Sequence, residues 1–467
     1  MVVPTASAAL ARVYSHPENS NMKKAKTLVA TLLIGSTLAL KIVGCSDDPD
    51  SNVVVVTGLQ VVAPSYWFVS DTTVPPSDYI PFTNPDANDS AFHLWSWQKF
   101  LSLTRSSNKK APFEGLVQVD NYLNRLGDTI TLPDSSQAGT HGVLYDTTNR
   151  AIYYTINVNP LMYRFQLSQL EVFSGIYTKF NSNVHRDQLI QDSLNVKGYD
   201  TLNYPVGCYE VKTSWILATS LSSLEGYYVT VAKLETAAGI RVVQVALKGM
   251  HIVGRVANHP EFIWATYEHN NLVPDYNWSH PGYPLLGDTL SQSNFLFYKA
   301  NNVIGNCLMN NNAATFHGFN NIFNIYPLGL ARSFTSDAVP TKKDLDNNTN
   351  VVSLNQSVHS QLEKVSGPWK NYFYKGSVWL NVANSTLIPG NDTMGNLTNP
   401  SLRGSRAISN ITMESFAQVN FSGNYTTESM NCFGCHVPVD FVDVQVNSND
   451  GINFNLALSH LFKNALL

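Results

Sequence analysis

The segment Met430-Asn431-Cys432-Phe433-Gly434-Cys435-His436 sets two thiols two residues apart and follows the second at once with an imidazole. Thiols at this spacing can add to the two vinyl groups of a porphyrin, and the histidine then lies under the iron as its proximal ligand. Gly434 lets the chain turn tightly against a flat ring. The rival chemistries are a zinc site, a redox dithiol and a structural disulfide. A structural zinc site wants four ligands, usually from two such pairs, and the chain has no second Cys-x-x-Cys. A redox dithiol normally follows a strand and opens a helix in a βαβ unit, a pattern that the residues after His436 do not offer. The spacing therefore predicts one covalent haem c on Cys432 and Cys435, with His436 on the iron.

Iron held in this way needs a decision on its other side: Met or His for electron transfer, an open position for chemistry. Met413 is the nearest thioether able to fold back. It sits in Asn410-Ile411-Thr412-Met413-Glu414-Ser415-Phe416, where Asn410 or Thr412 can cap a short helix. Met413 can equally be plain core packing, as most Met residues are. Met430 is too close to the attachment loop to reach the far face. His251 and His269 are the histidine alternatives. Both lie at strand-like ends, Gly249-Met250-His251-Ile252-Val253 and Trp264-Ala265-Thr266-Tyr267-Glu268-His269. Neighbours on a strand point to opposite faces, so Glu268 and His269 are no ready-made acid–base pair. Each of His251, Glu268 and His269 is either a catalytic candidate beside the haem or a satisfied structural group; for the last two, that means steadying the turn at Asn270-Asn271.

The other cysteines and the N-terminus speak to compartment. Met22-Lys23-Lys24-Ala25-Lys26 followed by the apolar run of Thr27 to Leu40 has the layout of a secretory signal, with Met22 as the expected start. Ile42-Val43-Gly44-Cys45 resembles a bacterial lipobox, which makes Cys45 the lipidated new N-terminus; ordinary secretion or a buried core helix are the alternatives. Cys208 and Cys307 remain, as a disulfide in an oxidising compartment or as two unrelated buried thiols. Export is also what c-type haem assembly requires. Charged residues are only 14% of the 467, and the net charge is -4 with no long basic run beyond the leader. That composition fits an exported protein and gives no reason to expect nucleic-acid binding.

The elements that must position these groups follow from periodicity. Residues 90–105 carry Trp97, Phe100, Leu101 and Leu103 on one broad face and predict a helix. From residue 151 to about 268 the chain turns to β-branched and aromatic runs. Strands are predicted at Ala151 to Val158, Tyr209 to Leu217, Tyr227 to Leu234, Val242 to Val253 and Phe262 to Glu268. Short connections favour antiparallel pairing. Residues 301–400 are Asn-rich and read as long loops, with a strand or two near Asn371 to Val382. The expected class is α+β: a mainly antiparallel sheet with flanking helices and long loops, then a mostly helical haem-binding region. The expected division is a leader with lipobox over 1–45, a flexible tether over 46–88, the α+β body over 89–400, and the haem-binding region, packed on that body, over 401–467.

Several of these segments resemble those of bacterial monohaem cytochrome c proteins. Trp97-Gln98-Lys99-Phe100-Leu101 is similar to that family's W-x-x-F-I-A-L-N helix, and Glu210-Val211-Lys212-Thr213-Ser214-Trp215 to its E-V-K-x-x-W strand. Phe262-Ile263-Trp264-Ala265-Thr266-Tyr267-Glu268-His269 is similar to its W-x-W-S-T-F-E-H segment, and Asn410 to Phe416 precede the haem motif as they do there. The resemblance implies the cofactor and a site near it that includes His251, Glu268 and His269; it implies no particular reaction. The leading expectation is an electron-transfer cytochrome on a bacterial outer membrane, periplasmic or surface-exposed, held by its lipid. It would exchange electrons with a redox protein or a small-molecule donor or acceptor. A haem oxidoreductase with an open iron face, or a non-enzymatic surface binding protein, are the alternatives.

Overall fold

Gly239–Val256 is rich in Val, Ile and Leu and holds no proline, and it forms an 18-residue strand around which the chain is arranged. The structure, a computed structural model, describes residues 61–79, 82, 89–108, 110–133, 135, 143–177, 204–276, 287, 289, 291–303, 306, 324–325, 342–381, 400–406, 408, 410–414, 432–436, 458–461 and 465. The leader, Cys45, the first part of the tether, Cys307 and most of the 401–467 region lie outside the described residues. The helices are α1 (Asp89–Thr104), α2 (Pro160–Tyr177), α3 (Lys342–Leu362), α4 (Ile411–Glu414) and α5 (Cys432–Cys435). The strands are β1 (Val117–Val119), β2 (Thr131–Leu132), β3 (Tyr153–Val158), β4 (Tyr209–Leu217), β5 (Val229–Thr236), β6 (Gly239–Val256), β7 (His259–His269), β8 (Asp275–Tyr276), β9 (Asn324–Ile325), β10 (Tyr372–Leu380) and β11 (Leu402–Gly404).

Nine of these strands form one sheet, in the order β1-β3-β4-β6-β7-β10-β11. Every pair along that path is antiparallel. The long β6 has β4 on one edge; its other edge carries β5 along its first half and β7 along its second. The short β2 joins β5 in parallel, and β8 and β9 make a separate parallel pair. The α+β class with a mainly antiparallel sheet is as the sequence predicts; β3, β4, β5, β6, β7 and β10 fall on the expected runs, and the short β1, β2, β8, β9 and β11 were not expected.

Three segments correct the sequence reading. Residues 160–177 were expected within a run of strands and form α2. Asn159 starts it: its Oδ1 accepts the Met162 N–H at 3.0 Å, and Pro160 occupies the first helical position. Residues 342–362, expected as loop, form the 21-residue α3. Asn is a poor helix former because its side chain competes for backbone hydrogen bonds, which hides this helix. Here the amides are used elsewhere: Asn355 accepts from Trp97 Nε1 at 2.9 Å and donates to the Tyr374 carbonyl at 2.8 Å, and Asn347 lies 2.9 Å from His93 Nε2. The apolar stripe Val351, Leu354, Val358, Leu362 faces the core. Third, residues 61–79 are not tether. Trp67 is 1% exposed, and Arg105 donates to its carbonyl at 2.6 Å.

The sheet is covered on both faces. On one, α1 and α3 pack over β6, β7 and β10. Phe100 stacks on Tyr267 at 4.2 Å and Phe92 on Trp379 at 4.1 Å, arrangements that add about 0.5–1.5 kcal/mol each beyond area burial. On the other face lie α4, the motif turn α5 and residues 458–461, packed over Val253, Trp264 and Val378 in one cluster and over Ile216 and Ala246 in another. Phe100→Ala should lower stability by about 3–5 kcal/mol. Ile240→Ser, at a position 65% exposed on the β5–β6 hairpin, should change it by less than about 0.5 kcal/mol. Urea denaturation of the two variants checks the contrast.

Candidate functional site

The Cys-x-x-Cys-His segment forms a single helical turn, closed by the His436 N–H donating to the Cys432 carbonyl at 2.8 Å. Residues four apart on a helix share a face, so Cys432 and His436 lie on one side of the turn. The Cys435 side chain is outside the described residues. Phe433, fully buried, anchors the turn from beneath: it meets Trp264 edge-on at 6.0 Å, within a cluster that includes Val253, Leu458 and Leu461.

His436 is held by a segment far along the chain. Its Nδ1 lies 2.6 Å from the carbonyl oxygen of Leu458. A carbonyl can only accept, so Nδ1 carries the proton and Nε2 the lone pair. Its ring stacks on His460 at 4.0 Å and lies 4.4 Å from Trp264. Burial, then the neighbouring His460, hold its pKa well below the ordinary histidine value, with Lys212 and His251 adding to the effect and the Leu458 carbonyl opposing it. The imidazole is therefore neutral at physiological pH, the state a metal ligand needs. Metal-bound histidines characteristically donate their second nitrogen to a carbonyl or carboxylate, which fixes the tautomer. The motif, its apolar floor and this hydrogen bond fit an iron porphyrin held by His436 Nε2. Among the described residues no group of three His, Cys, Asp or Glu is placed to hold a metal ion by itself.

The sheet beneath carries polar side chains in rows. Directly paired residues of antiparallel strands share a face. Glu210, Val253 and Trp264 make one row across β4, β6 and β7; Lys212, His251 and Thr266 make the next; Ser214, Gly249 and Glu268 a third. His251 Nδ1 is 2.9 Å from Thr266 Oγ1. Burial raises the Glu210 pKa to about 7, against Lys212, His251 and a hydrogen bond to Ser459. The third row receives α4. A Cβ on Gly249 would lie 2.6 Å from Thr412 Oγ1, so only glycine admits the helix at this distance.

The expected site residues divide. His251 lies close enough to His436 to influence its protonation. Glu268 shares the face but serves α4, accepting the Ile411 N–H at 2.5 Å and lying 3.7 Å from Lys375 Nζ. Asn410 caps the same helix through the Thr412 N–H. His269 points to the opposite face: it stacks on Tyr227 at 3.9 Å, donates through Nε2 to the Gly226 carbonyl and accepts the Asn271 N–H at Nδ1. Burial, then Lys248, lower its pKa to about 3. It is the turn-steadying group, not a neighbour of the motif. Met413 is fully buried with Ile411, Leu272 and Phe297, in a different apolar cluster from Phe433. Cys208 is a buried free thiol whose pKa burial pushes up to about 12. Sequence reasoning missed Glu210, Lys212 and the 458–460 segment. The Glu-x-Lys alternation on a strand that also carries Val211, Trp215, Ile216 and Leu217 was the available signal for the first two.

Compared with known proteins, the chain matches no family model, no curated protein and no solved structure.

Glu210 gives a prediction with a definite sign. Its folded pKa of about 7 exceeds the ordinary 4.5, so the folded chain holds this proton more tightly than the unfolded one. The resulting stabilisation is complete below pH 4.5 and lost as pH rises through about 7. Glu210→Gln has no proton to lose. The urea midpoint of the wild type relative to Glu210→Gln should fall between pH 4.5 and 7; a constant difference would contradict the placement.

Proposed function

We propose that this chain is an exported monohaem c-type cytochrome that transfers single electrons, with one haem on Cys432 and Cys435 and His436 as proximal ligand. The observation that carries the reading is the Nδ1–H of His436 directed at the Leu458 carbonyl, within a one-turn Cys-x-x-Cys-His helix seated on apolar side chains. Haem, when bound, supplies an iron that alternates between two oxidation states, its potential tuned by ligand type, burial and hydrogen bonding. The chain's part is to present two thiols and a neutral imidazole on a short turn. It backs them with Trp264, Phe433 and Leu458, which keep bulk water from one side. On this reading the region over 401–467 is a mostly helical haem-binding region, and the lipid on Cys45 holds the protein to an outer membrane. Its partners are a redox protein or a small-molecule donor or acceptor.

A second reading is a haem oxidoreductase with an open iron face. The row Lys212, His251, Thr266 favours it, because it sets proton-carrying groups beside His436.

Two measurements decide. Protein matured by an export host competent in haem attachment should gain the mass of one haem; the double variant Cys432→Ala, Cys435→Ala should gain none. A wild type without added mass sinks both readings. The ferric spectrum then assigns the sixth position. A weak band at the red edge that disappears in Met413→Ala identifies the thioether. A low-spin spectrum turned high-spin by His251→Ala identifies the histidine. A high-spin wild type that binds cyanide readily identifies the open site.

A further inference from the structure

Residues 66–79 lie along α1 with their polar groups turned toward it. Just past the end of α1, the Arg105 guanidinium donates to the carbonyls of Trp67 at 2.6 Å and Ser70 at 2.5 Å, and to Thr73 Oγ1 at 2.9 Å. Midway along the helix, Gln98 donates to the Val74 carbonyl at 2.9 Å. Trp95 Nε1 donates to Asp78 at 2.8 Å, and Lys99 Nζ lies 3.2 Å from the same carboxylate. The segment therefore runs antiparallel to the helix, and both cationic side chains that tie it down are buried. What it turns outward is apolar. Tyr66 and Val69, three apart at the 3-10 turn Ser65–Phe68, share a face. They are 55% and 83% exposed, and Val74 and Tyr79 are each 65% exposed. The only charges between residues 61 and 79 are Asp71 and Asp78, and Lys99 pairs with the second. Burying an arginine and a lysine to hold valines and tyrosines in the open reverses the usual exchange with water.

We propose that this edge is a membrane-contact strip: Tyr66, Val69, Val74 and Tyr79 rest in the headgroup layer of the bilayer that takes the lipid of Cys45. The inference rests on the lipid-anchored reading for which surface is within reach. Residues 46–60 separate Cys45 from Val61, and a chain of that length spans about 55 Å at most. The strip is thus the part of the described body whose distance from the anchor is most tightly limited. Its tyrosines and short aliphatic side chains alternate with Ser65, Ser70, Thr72 and Ser77, a mixture suited to a layer that is part apolar and part wet. With so little charge, the contact is driven by apolar burial and not by attraction to anionic lipid, so it is insensitive to salt. Its consequence is orientation: the side of the body that carries α1 faces the bilayer.

The test compares the lipidated protein on phosphatidylcholine vesicles with the Cys45→Ser chain free in solution, by hydroxyl-radical footprinting of tyrosines. Tyr122, 64% exposed and outside the segment, is the internal control. On vesicles the oxidation of Tyr66 and Tyr79 should fall severalfold, that of Tyr122 should not, and added salt should change neither result. The double variant Val69→Asp, Val74→Asp alters two exposed positions and leaves the fold intact. It should return Tyr66 and Tyr79 to their solution level while the lipid keeps the protein bound. Equal oxidation of Tyr66 and Tyr79 on and off the vesicles, or equal protection of Tyr122, would overturn the proposal. The anchor is judged separately by mass: a matured chain with no lipid on Cys45 rejects the anchored reading. The Cys45→Ser chain at high vesicle concentration then decides the strip alone, protection of Tyr66 and Tyr79 supporting it and its absence overturning it.

Discussion

A sheet with two apolar faces must be covered twice, and that constraint places the motif. Helices α1 and α3 cover one side, where Trp97, Phe100 and Tyr267 form the largest apolar cluster. The other side of β4, β6 and β7 presents Val253 and Trp264, and residues of the C-terminal region close over them. Phe433 sits between the two motif cysteines in sequence and is buried in that contact. The hydrophobic burial that completes the fold therefore also fixes where Cys432 and His436 stand. Burying one aromatic ring of this kind contributes about 1.5–3 kcal/mol, enough to hold a four-residue turn that has no helical stability of its own.

The same face carries charge, which burial keeps in check. Glu210, Lys212 and His251 lie on adjacent rows near His436, and their mutual influence shows in the proton affinities of Glu210 and His436. Further along β6, Lys248 is fully buried with no hydrogen-bond partner among the described residues, its Nζ 3.7 Å from the centre of the Tyr227 ring. Burial holds its pKa well below the usual lysine value, with Asp146 opposing. An uncompensated buried charge is costly, and the ring offers only partial relief. The sheet is thus a low-polarity floor with a few polar groups set into it, the kind of medium in which a change of charge at one position is felt at the next.

Much of this was legible in the residues. β-branched runs located the six longer strands but not the five of two or three residues, and alternation along β7 foretold that Glu268 and His269 would face apart. What hid was of two kinds. α2 and α3 carry Gln, Asn and Ser where a helix would favour Ala or Leu, because those polar groups make tertiary hydrogen bonds that no local pattern announces. Asn355, bridging Trp97 and Tyr374, is the clearest instance. The surroundings of His436 hid for a different reason: Leu458, His460 and Trp264 are distant in sequence and ordinary in type, and only the returning chain brings them together. The first half of Trp67's neighbourhood misled in the opposite sense, its Pro, Ser and Asp suggesting a tether where the chain is packed.

The acceptor for His436 stands 22 residues after it. On the proposed reading, attachment and coordination then obey different rules. Thioether formation needs only the pentapeptide, which an assembly enzyme can grip while the chain is still open. A defined ligand geometry needs the returning segment to dock on the sheet. A protein cut between these two points would keep its coloured group yet lose the fixed bearing of the imidazole, so pigment content and redox competence would report on two separate stages of maturation.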